Sequence, residues 1–168
     1  MPKIYENTNI RIDATCAPHL VIFEIHTVPG DHFIDPSPAS ADGWGSKNIT
    51  RVACKEASKL FSMMFHLRAP VGNPDYRKTG SFSQAHSEVS KPKEVVTETL
   101  SYKEVPQPAG DPTYKFTYKS KFVDKNTIPP TPISNTSCSL TFTRSDAKKL
   151  ARAIESALKA CCRGVKLL

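Results

Sequence analysis

In the segment from Thr113 to Val123, two kinds of side chain alternate as far as Phe122. Tyr, Phe and one Ser fill one set of alternate positions, whereas Lys and Thr fill the other set from Thr113 to Lys121. Successive side chains of a β-strand point to opposite faces of a sheet. The pattern therefore predicts a strand with an aromatic face and a cationic, hydroxyl-bearing face.

Two neighbouring segments repeat this design. Residues 95–105 place Thr, Ser and Lys at alternate positions, and residues 137–143 do the same with Ser and Thr. Lysines neutralise phosphates and hydroxyls donate to phosphate or sugar oxygens, so three such strands suit contact with a nucleic-acid backbone. The alternative interpretation is an antiparallel sheet whose outer face carries Lys and Thr for solubility alone.

An amphipathic helix is predicted over residues 145–163, directly after the last strand. Thr143 or Ser145 is the expected N-cap, Asp146 suits the first turn, and Gly164 is the expected C′ residue. A helix with one continuous apolar stripe has to cover a sheet face, either its own or that of a partner. The stripe comprises Ala147, Leu150, Ala151, Ile154, Ala157, Leu158 and Cys161.

The front half of the chain is less regular. Residues 3–28 predict an N-terminal hairpin of two strands, and the stretches 29–47 and 70–93, rich in turn-forming residues, predict long loops. Residues 49–69 fit either one amphipathic helix or two strands that turn near Ala57. The β-rich character of the rest of the chain favours the two strands.

Composition sets the class of protein. A chain of 168 residues fits one domain, 1–168, and its net charge of +7 favours a polyanionic partner. The longest apolar run, Leu20 to Ile25 interrupted by Glu24, is too short to span a bilayer, so we expect no membrane partner. The N-terminus lacks the apolar core of a signal peptide, which predicts a protein made and used inside a cell.

Candidate catalytic and metal-binding residues are sparse. The five cysteines form an odd set without C-x-x-C spacing, which argues against a disulfide scaffold and a zinc module. Cys16 with His19 lacks a third orienting group, and His26 and His32 near two aspartates match no recognised set of metal ligands. We therefore expect no enzyme activity, no metal site and no cofactor.

The order of the predicted elements resembles that of the coat proteins of single-stranded RNA bacteriophages, the levivirus type. The likeness is closest in residues 136–154, a strand that runs into a helix, and in the hairpin 95–123. The resemblance implies an α+β fold: an N-terminal β-hairpin, an antiparallel sheet of about five strands within residues 49–144, and a C-terminal amphipathic helix that packs on a dimer partner.

The same resemblance implies a capsid protein of the virion, assembled in the host cytoplasm. It would form a homodimer, build a shell and bind single-stranded genomic RNA with the polar sheet face. Leu150, Ile154, Ala157 and Leu158 are the implied dimer contacts. The implied RNA-binding residues are Thr97, Thr99, Ser101, Lys103, Thr113, Lys115, Thr117, Lys119, Lys121, Ser139 and Thr141.

Two other classes of protein fit the same sequence. One is a non-viral protein of PC4-like or Whirly-like architecture that binds single-stranded DNA or RNA, in which aromatics stack on bases and lysines follow the backbone. In this chain Tyr and Phe lie opposite Lys, which favours backbone contact over base stacking. The other class is a small adaptor or immunity-like module that binds no nucleic acid.

Overall fold

Alternating apolar residues build two antiparallel sheets of four strands, and each sheet is followed by a helix. The computed structural model describes residues 2–27, 46–86, 94–124 and 131–168. The first sheet has the order β1-β2-β3-β4 and the second has the order β5-β6-β7-β8. The elements are β1 (Lys3–Glu6), β2 (Ile10–Ala17), β3 (Leu20–Thr27), β4 (Ser46–Ala53), a 3-10 turn (Cys54–Glu56), α1 (Ala57–Arg68), β5 (Thr79–His86), β6 (Glu94–Val105), β7 (Thr113–Asp124), β8 (Thr131–Phe142) and α2 (Arg144–Cys161).

The α+β class is confirmed, but the arrangement differs from the single sheet of about five strands. The preferred interpretation of residues 49–69 as two strands is wrong beyond Ala53, because residues 57–68 form α1. Ala57, Met64 and Leu67 are completely buried on one helical stripe, whereas Phe65 is half-buried. Burial thus follows the helical period of 3.6 residues and not the period of two.

One strand lies where a loop was expected. β5 occupies residues 79–86 within the predicted loop 70–93 and pairs with β6 in continuous register. β8 begins at Thr131, six residues before the predicted start at Ser137. Most of the predicted loop 29–47 lies outside the described residues, as do residues 87–93 and the connector 125–130.

The aromatic face of the second sheet belongs to the core. Tyr114, Phe116 and Tyr118 of β7 are 5% exposed or less, and the rings of Phe116 and Phe142 meet edge to face at 5.0 Å. The inner face of the first sheet contributes to the same core cluster through Ile12 and Phe23, among others. Side chains of both sheets and both helices line an apolar cavity of about 90 Å³.

Helix α2 packs on its own chain. Thr143 is the N-cap, because its side chain accepts a hydrogen bond from the Asp146 amide at 3.1 Å. The helix ends at Cys161, and Gly164 takes a positive φ of 84° just beyond the end. The four residues assigned to a dimer interface, Leu150, Ile154, Ala157 and Leu158, are buried within a single chain. A homodimer would therefore have to use other surfaces.

Arg144 joins the two helices at their facing ends. Its buried guanidinium donates to the carbonyl oxygens of Leu67 and Ala69, at 2.5 and 2.7 Å, where α1 ends. It also donates to the Tyr114 hydroxyl at 3.1 Å. A cation at a helix C-terminus interacts favourably with the helix dipole, so the Arg144 side chain caps the C-terminus of α1. Arg144 is also the first residue of α2.

Two disulfides tie the end of α2 to the first half of the chain. Cys16 is bonded to Cys161 and Cys54 to Cys162, with Cα–Cα distances of 4.9 and 5.3 Å. Both distances lie within the range that a disulfide needs. The expectation that the cysteines form no disulfide scaffold is therefore wrong. Cysteine count and spacing could not reveal bridges whose partners are separated by 145 and 108 residues.

Gly80 provides a test of how the second sheet packs. It lies opposite Tyr102 in the β5–β6 register, and a Cβ at Gly80 would overlap the Tyr102 ring and lie 3.0 Å from Met63 Cγ. We expect Gly80→Val to lower the free energy of unfolding by about 1–3 kcal/mol through overpacking. Urea denaturation measures the change. Ser81→Val, one residue along and exposed, is the matched control and should leave stability nearly unchanged.

Candidate nucleic-acid interface

The outer surface of the second sheet forms a regular array of small polar and cationic side chains, here called the lysine–hydroxyl face. Strand pairing aligns them in rows: Lys103 lies opposite Lys115, Ser101 opposite Thr117, and Thr99 opposite Lys119. Half-buried Val95, Val105 and Val123 lie on the same side at the ends of the strands. The other described side chains of this face are Thr79, Ser81, Ser83, Ala85, Thr97, Thr99, Ser101, Lys103, Thr113, Lys115, Thr117, Lys119, Lys121, Ser139 and Thr141.

All eleven residues predicted to contact RNA lie on this face. Each is exposed or half-buried, and the four lysines among them are exposed. The placement follows from strand alternation: the neighbours Tyr114, Phe116 and Tyr118 point into the core, so Lys115, Thr117 and Lys119 point outward. The structure thus brings the predicted set together on one surface.

The positive charge of the face is unopposed. None of its described side chains is a carboxylate. The acidic residues of β6 with described side chains point to the other side: Glu98 is buried and accepts hydrogen bonds from Thr50 and Tyr118, at 2.8 and 3.2 Å. Glu104 accepts a hydrogen bond from the Tyr76 hydroxyl. Among the described side chains of the face, the lysines therefore confront solvent without an acidic partner.

The spacing of the charges suits an anionic chain. Lys119 and Lys121 lie about 7 Å apart along β7, at two residues of strand rise. Lys103 and Lys115 lie directly opposite each other on adjacent strands, about 5 Å apart. Like charges at directly opposed positions repel and destabilise a sheet. A phosphate bound between these two lysines would remove that repulsion.

Hydroxyl groups fill the spaces between the lysines. Ser83 Oγ and Thr99 Oγ1 lie 2.8 Å apart, and Thr117 Oγ1 and Ser139 Oγ lie 3.0 Å apart, so each pair shares a hydrogen bond. A hydroxyl retains further donor or acceptor capacity after one such bond. The pairs can therefore turn toward phosphate or sugar oxygens at small structural cost.

Aromatic stacking is not a property of this face. Its described side chains contain no aromatic ring, because the Tyr and Phe residues of β6, β7 and β8 with described side chains are buried. Desolvation on burial raises the pKa of Tyr102 to about 12, and the phenol donates to the Arg77 carbonyl at 3.0 Å. The face consequently offers backbone contacts rather than base stacking.

The sequence interpretation missed the contribution of β5. Thr79, Ser81 and Ser83 extend the face by one strand, next to Lys103, Ser101 and Thr99. The signal was present as the alternation Ser81-Phe82-Ser83, with Phe82 buried. It was obscured because only Phe82 provides a large apolar side chain in residues 79–86.

The other residues weighed for chemistry are dispersed. Cys16 is in a disulfide and offers no thiol for nucleophilic attack with His19. Asp31, His32 and Asp35 lie outside the described residues, while His26 lies in β3. Within the described ranges, neither helix is long and apolar enough to cross a membrane.

Comparison with known proteins identifies no family. No family model matches the chain, and no curated protein matches it. Among solved structures, the chain is similar to WHY1 from Arabidopsis thaliana, with a TM-score of 0.46 and 11% sequence identity. The similarity covers 96% of this chain and 89% of that chain.

Proposed function

We propose that this protein binds single-stranded nucleic acid through the lysine–hydroxyl face, by contact with the sugar-phosphate backbone. The observation that carries the proposal is the composition of the face: four exposed lysines, hydroxyl groups between them and no carboxylate among its described side chains. A surface kept for solubility alone would be expected to mix both signs of charge. The net charge of +7 adds long-range attraction for a polyanion.

The shape of the surface favours a single strand over a duplex. A four-stranded antiparallel sheet is twisted, and a flexible single strand can follow that surface over several phosphates. A duplex is stiff, with a persistence length of about 50 nm, and would contact such a surface along a narrow strip. The described side chains of the face carry no aromatic ring on which a base could stack, so the contacts we propose are to the backbone and independent of base sequence.

A coat-protein role would use the same surface. The resemblance to RNA-phage coat proteins places this face against the genome inside a shell, and that role stays a prediction. It requires self-assembly in addition to RNA binding. The non-viral alternative requires binding alone, and the lysine–hydroxyl face explains binding without any shell.

Fluorescence anisotropy with labelled 20-nucleotide RNA and DNA, and with a duplex of the same length, tests the proposal. We expect saturable binding of both single strands, weaker binding of the duplex, and affinity that falls steeply with salt. Light scattering and electron microscopy of the purified protein, with and without nuclease, decide between the roles. Nuclease-protected RNA in closed particles supports a coat protein. A small oligomer that binds no single strand at low salt would refute both.

A further inference from the structure

Three side chains with metal-binding atoms meet on the outer face of the first sheet. Asp13 of β2 lies directly opposite Glu24 of β3, and His26 follows Glu24 by two residues, so all three point to the same side. One nitrogen or oxygen atom from each lies within 4.8 Å of those of the other two. This site is separate from the lysine–hydroxyl face, which belongs to the second sheet.

His26 is the informative member of the cluster. The residue is 7% exposed, and within the described part of the chain its Nε2 makes no hydrogen bond. Nε2 nevertheless lies 2.9 Å from Glu24 Oε1 and 3.6 Å from Asp13 Oδ2. This nitrogen is directed at two carboxylate oxygens, and both contacts are within ion-pair distance. Because a neutral imidazole nitrogen is also the commonest metal ligand, a cation bound among the three atoms could replace these ion pairs.

The distances are near those of metal coordination. Nitrogen and oxygen ligands lie about 2.0–2.2 Å from Zn²⁺, which sets neighbouring ligand atoms of a tetrahedral site about 3.3–3.6 Å apart. The separation of 3.6 Å from Nε2 to Asp13 Oδ2 lies in this range, and the separation of 2.9 Å from Nε2 to Glu24 Oε1 would have to lengthen by a few tenths of an ångström. Arg11 Nε donates to Asp13 Oδ1 at 3.0 Å and leaves Oδ2 on the side of His26. Such a second contact orients a ligating carboxylate.

The charges also favour a cation. Asp13 and Glu24 are carboxylates at directly opposed positions of an antiparallel pair, where like charges repel, and the ion pair of Arg11 with Asp13 at 3.0 Å offsets part of this repulsion. Asp13 is 4% exposed, so solvent screens its charge poorly. One imidazole with two carboxylates is a ligand set that Zn²⁺ and Mn²⁺ accept.

We propose that Asp13, Glu24 and His26 form a binding site for a divalent cation of the Zn²⁺ or Mn²⁺ kind. The site holds the first sheet together at β2 and β3 and does not depend on the proposed nucleic-acid binding. Calorimetric titration of the oxidised full-length protein with ZnCl₂ and MnCl₂ should show one equivalent of saturable binding. His26→Gln and Glu24→Gln should each weaken it at least ten-fold, as loss of a ligand requires.

Matched variants make the test specific. His19→Asn changes an exposed histidine in the same hairpin, where Asn tolerates the positive φ of 63°, and should bind metal like the wild type. Cys138→Ser removes the cysteine outside both disulfides and should also retain binding. Circular dichroism checks that each variant folds. Glu24→Gln is the variant expected to disturb the fold least, because Glu24 is the most exposed of the three side chains. No saturable binding by the wild type, or equal affinity in wild type and Glu24→Gln, would overturn the proposal.

Discussion

Replacement of Lys115, Lys119 and Lys121 by Gln is expected to weaken binding of single-stranded RNA at least ten-fold near 0.1 M salt. The three side chains lie on β7 at the centre of the lysine–hydroxyl face and are exposed. Each phosphate contact on a single strand contributes about 0.7 to the slope of log K against log salt. The slope should therefore fall by about 2. Fluorescence anisotropy at several salt concentrations measures both quantities.

A control with the same change in charge separates a local surface from general attraction. Lys55, Lys149 and Lys166 are exposed away from the lysine–hydroxyl face, in the 3-10 turn, in α2 and near the C-terminus. Their triple replacement by Gln also removes three positive charges. We expect it to retain most of the affinity and slope. Equal losses in the two triple variants would show that net charge, and not this face, accounts for binding.

Reduction of both disulfides is expected to lower the free energy of unfolding by as much as about 5 kcal/mol. In the chain-entropy description, a cross-link stabilises by restricting the unfolded chain, and the Cys16–Cys161 bridge spans 145 residues. The second bridge joins the adjacent Cys162 to Cys54 and adds less, because nearly all of its loop overlaps the loop that the first bridge closes. The corresponding fall in Tm is about 10–20 °C.

Thermal unfolding with and without dithiothreitol measures this change. A variant with Ser at positions 16, 54, 161 and 162 should unfold at the lower temperature in both conditions, because it has no bridge to reduce. Peptide mapping without reductant should recover the two cross-linked pairs. Four free thiols at these positions in the native, oxidised protein, or an unchanged Tm on reduction, would contradict the expectation. Disulfides persist in oxidising compartments. A large fall in Tm on reduction would therefore mean that the chain is more stable in an oxidising compartment than in a reducing one.

Local patterns determined much of the second half of the protein. Strand β7 and helix α2 bury mainly apolar faces, and β6 buries Tyr102 together with Glu98 on its inner side. A period of two or 3.6 residues identifies such elements from sequence alone. Alternation also determined which side chains of β7 face outward. Every residue of the proposed interface on β6 and β7 was therefore accessible to sequence reasoning, as was the Thr143 cap of α2.

Short elements with mixed patterns were decided by tertiary contacts. Residues 61–67 satisfy a strand pattern and a helix pattern equally well, and packing of α1 on α2 selects the helix. β5 has one large apolar residue, Phe82, and its pairing with β6 compensates for that weak signal. The apolar stripe of α2, the aromatic face of the second sheet and the inner face of the first sheet belong to one core cluster. The stripe of α2 is therefore buried without a partner chain.

Contacts between residues that are distant in the sequence could not be predicted from local patterns, for the same reason. Cys16 and Cys161, or Asp13 and His26, carry no local pattern that links them; only the fold sets their distances. The sequence by itself determined which residues could form a cationic, hydroxyl-rich strand face, because alternation is a property of the local backbone. The tertiary structure decided that this face is one side of a four-stranded sheet, and it decided the register of β2 on β3 that brings the proposed metal ligands together. It also decided which distant cysteines form the disulfides, because those contacts exist only after the two halves have packed together.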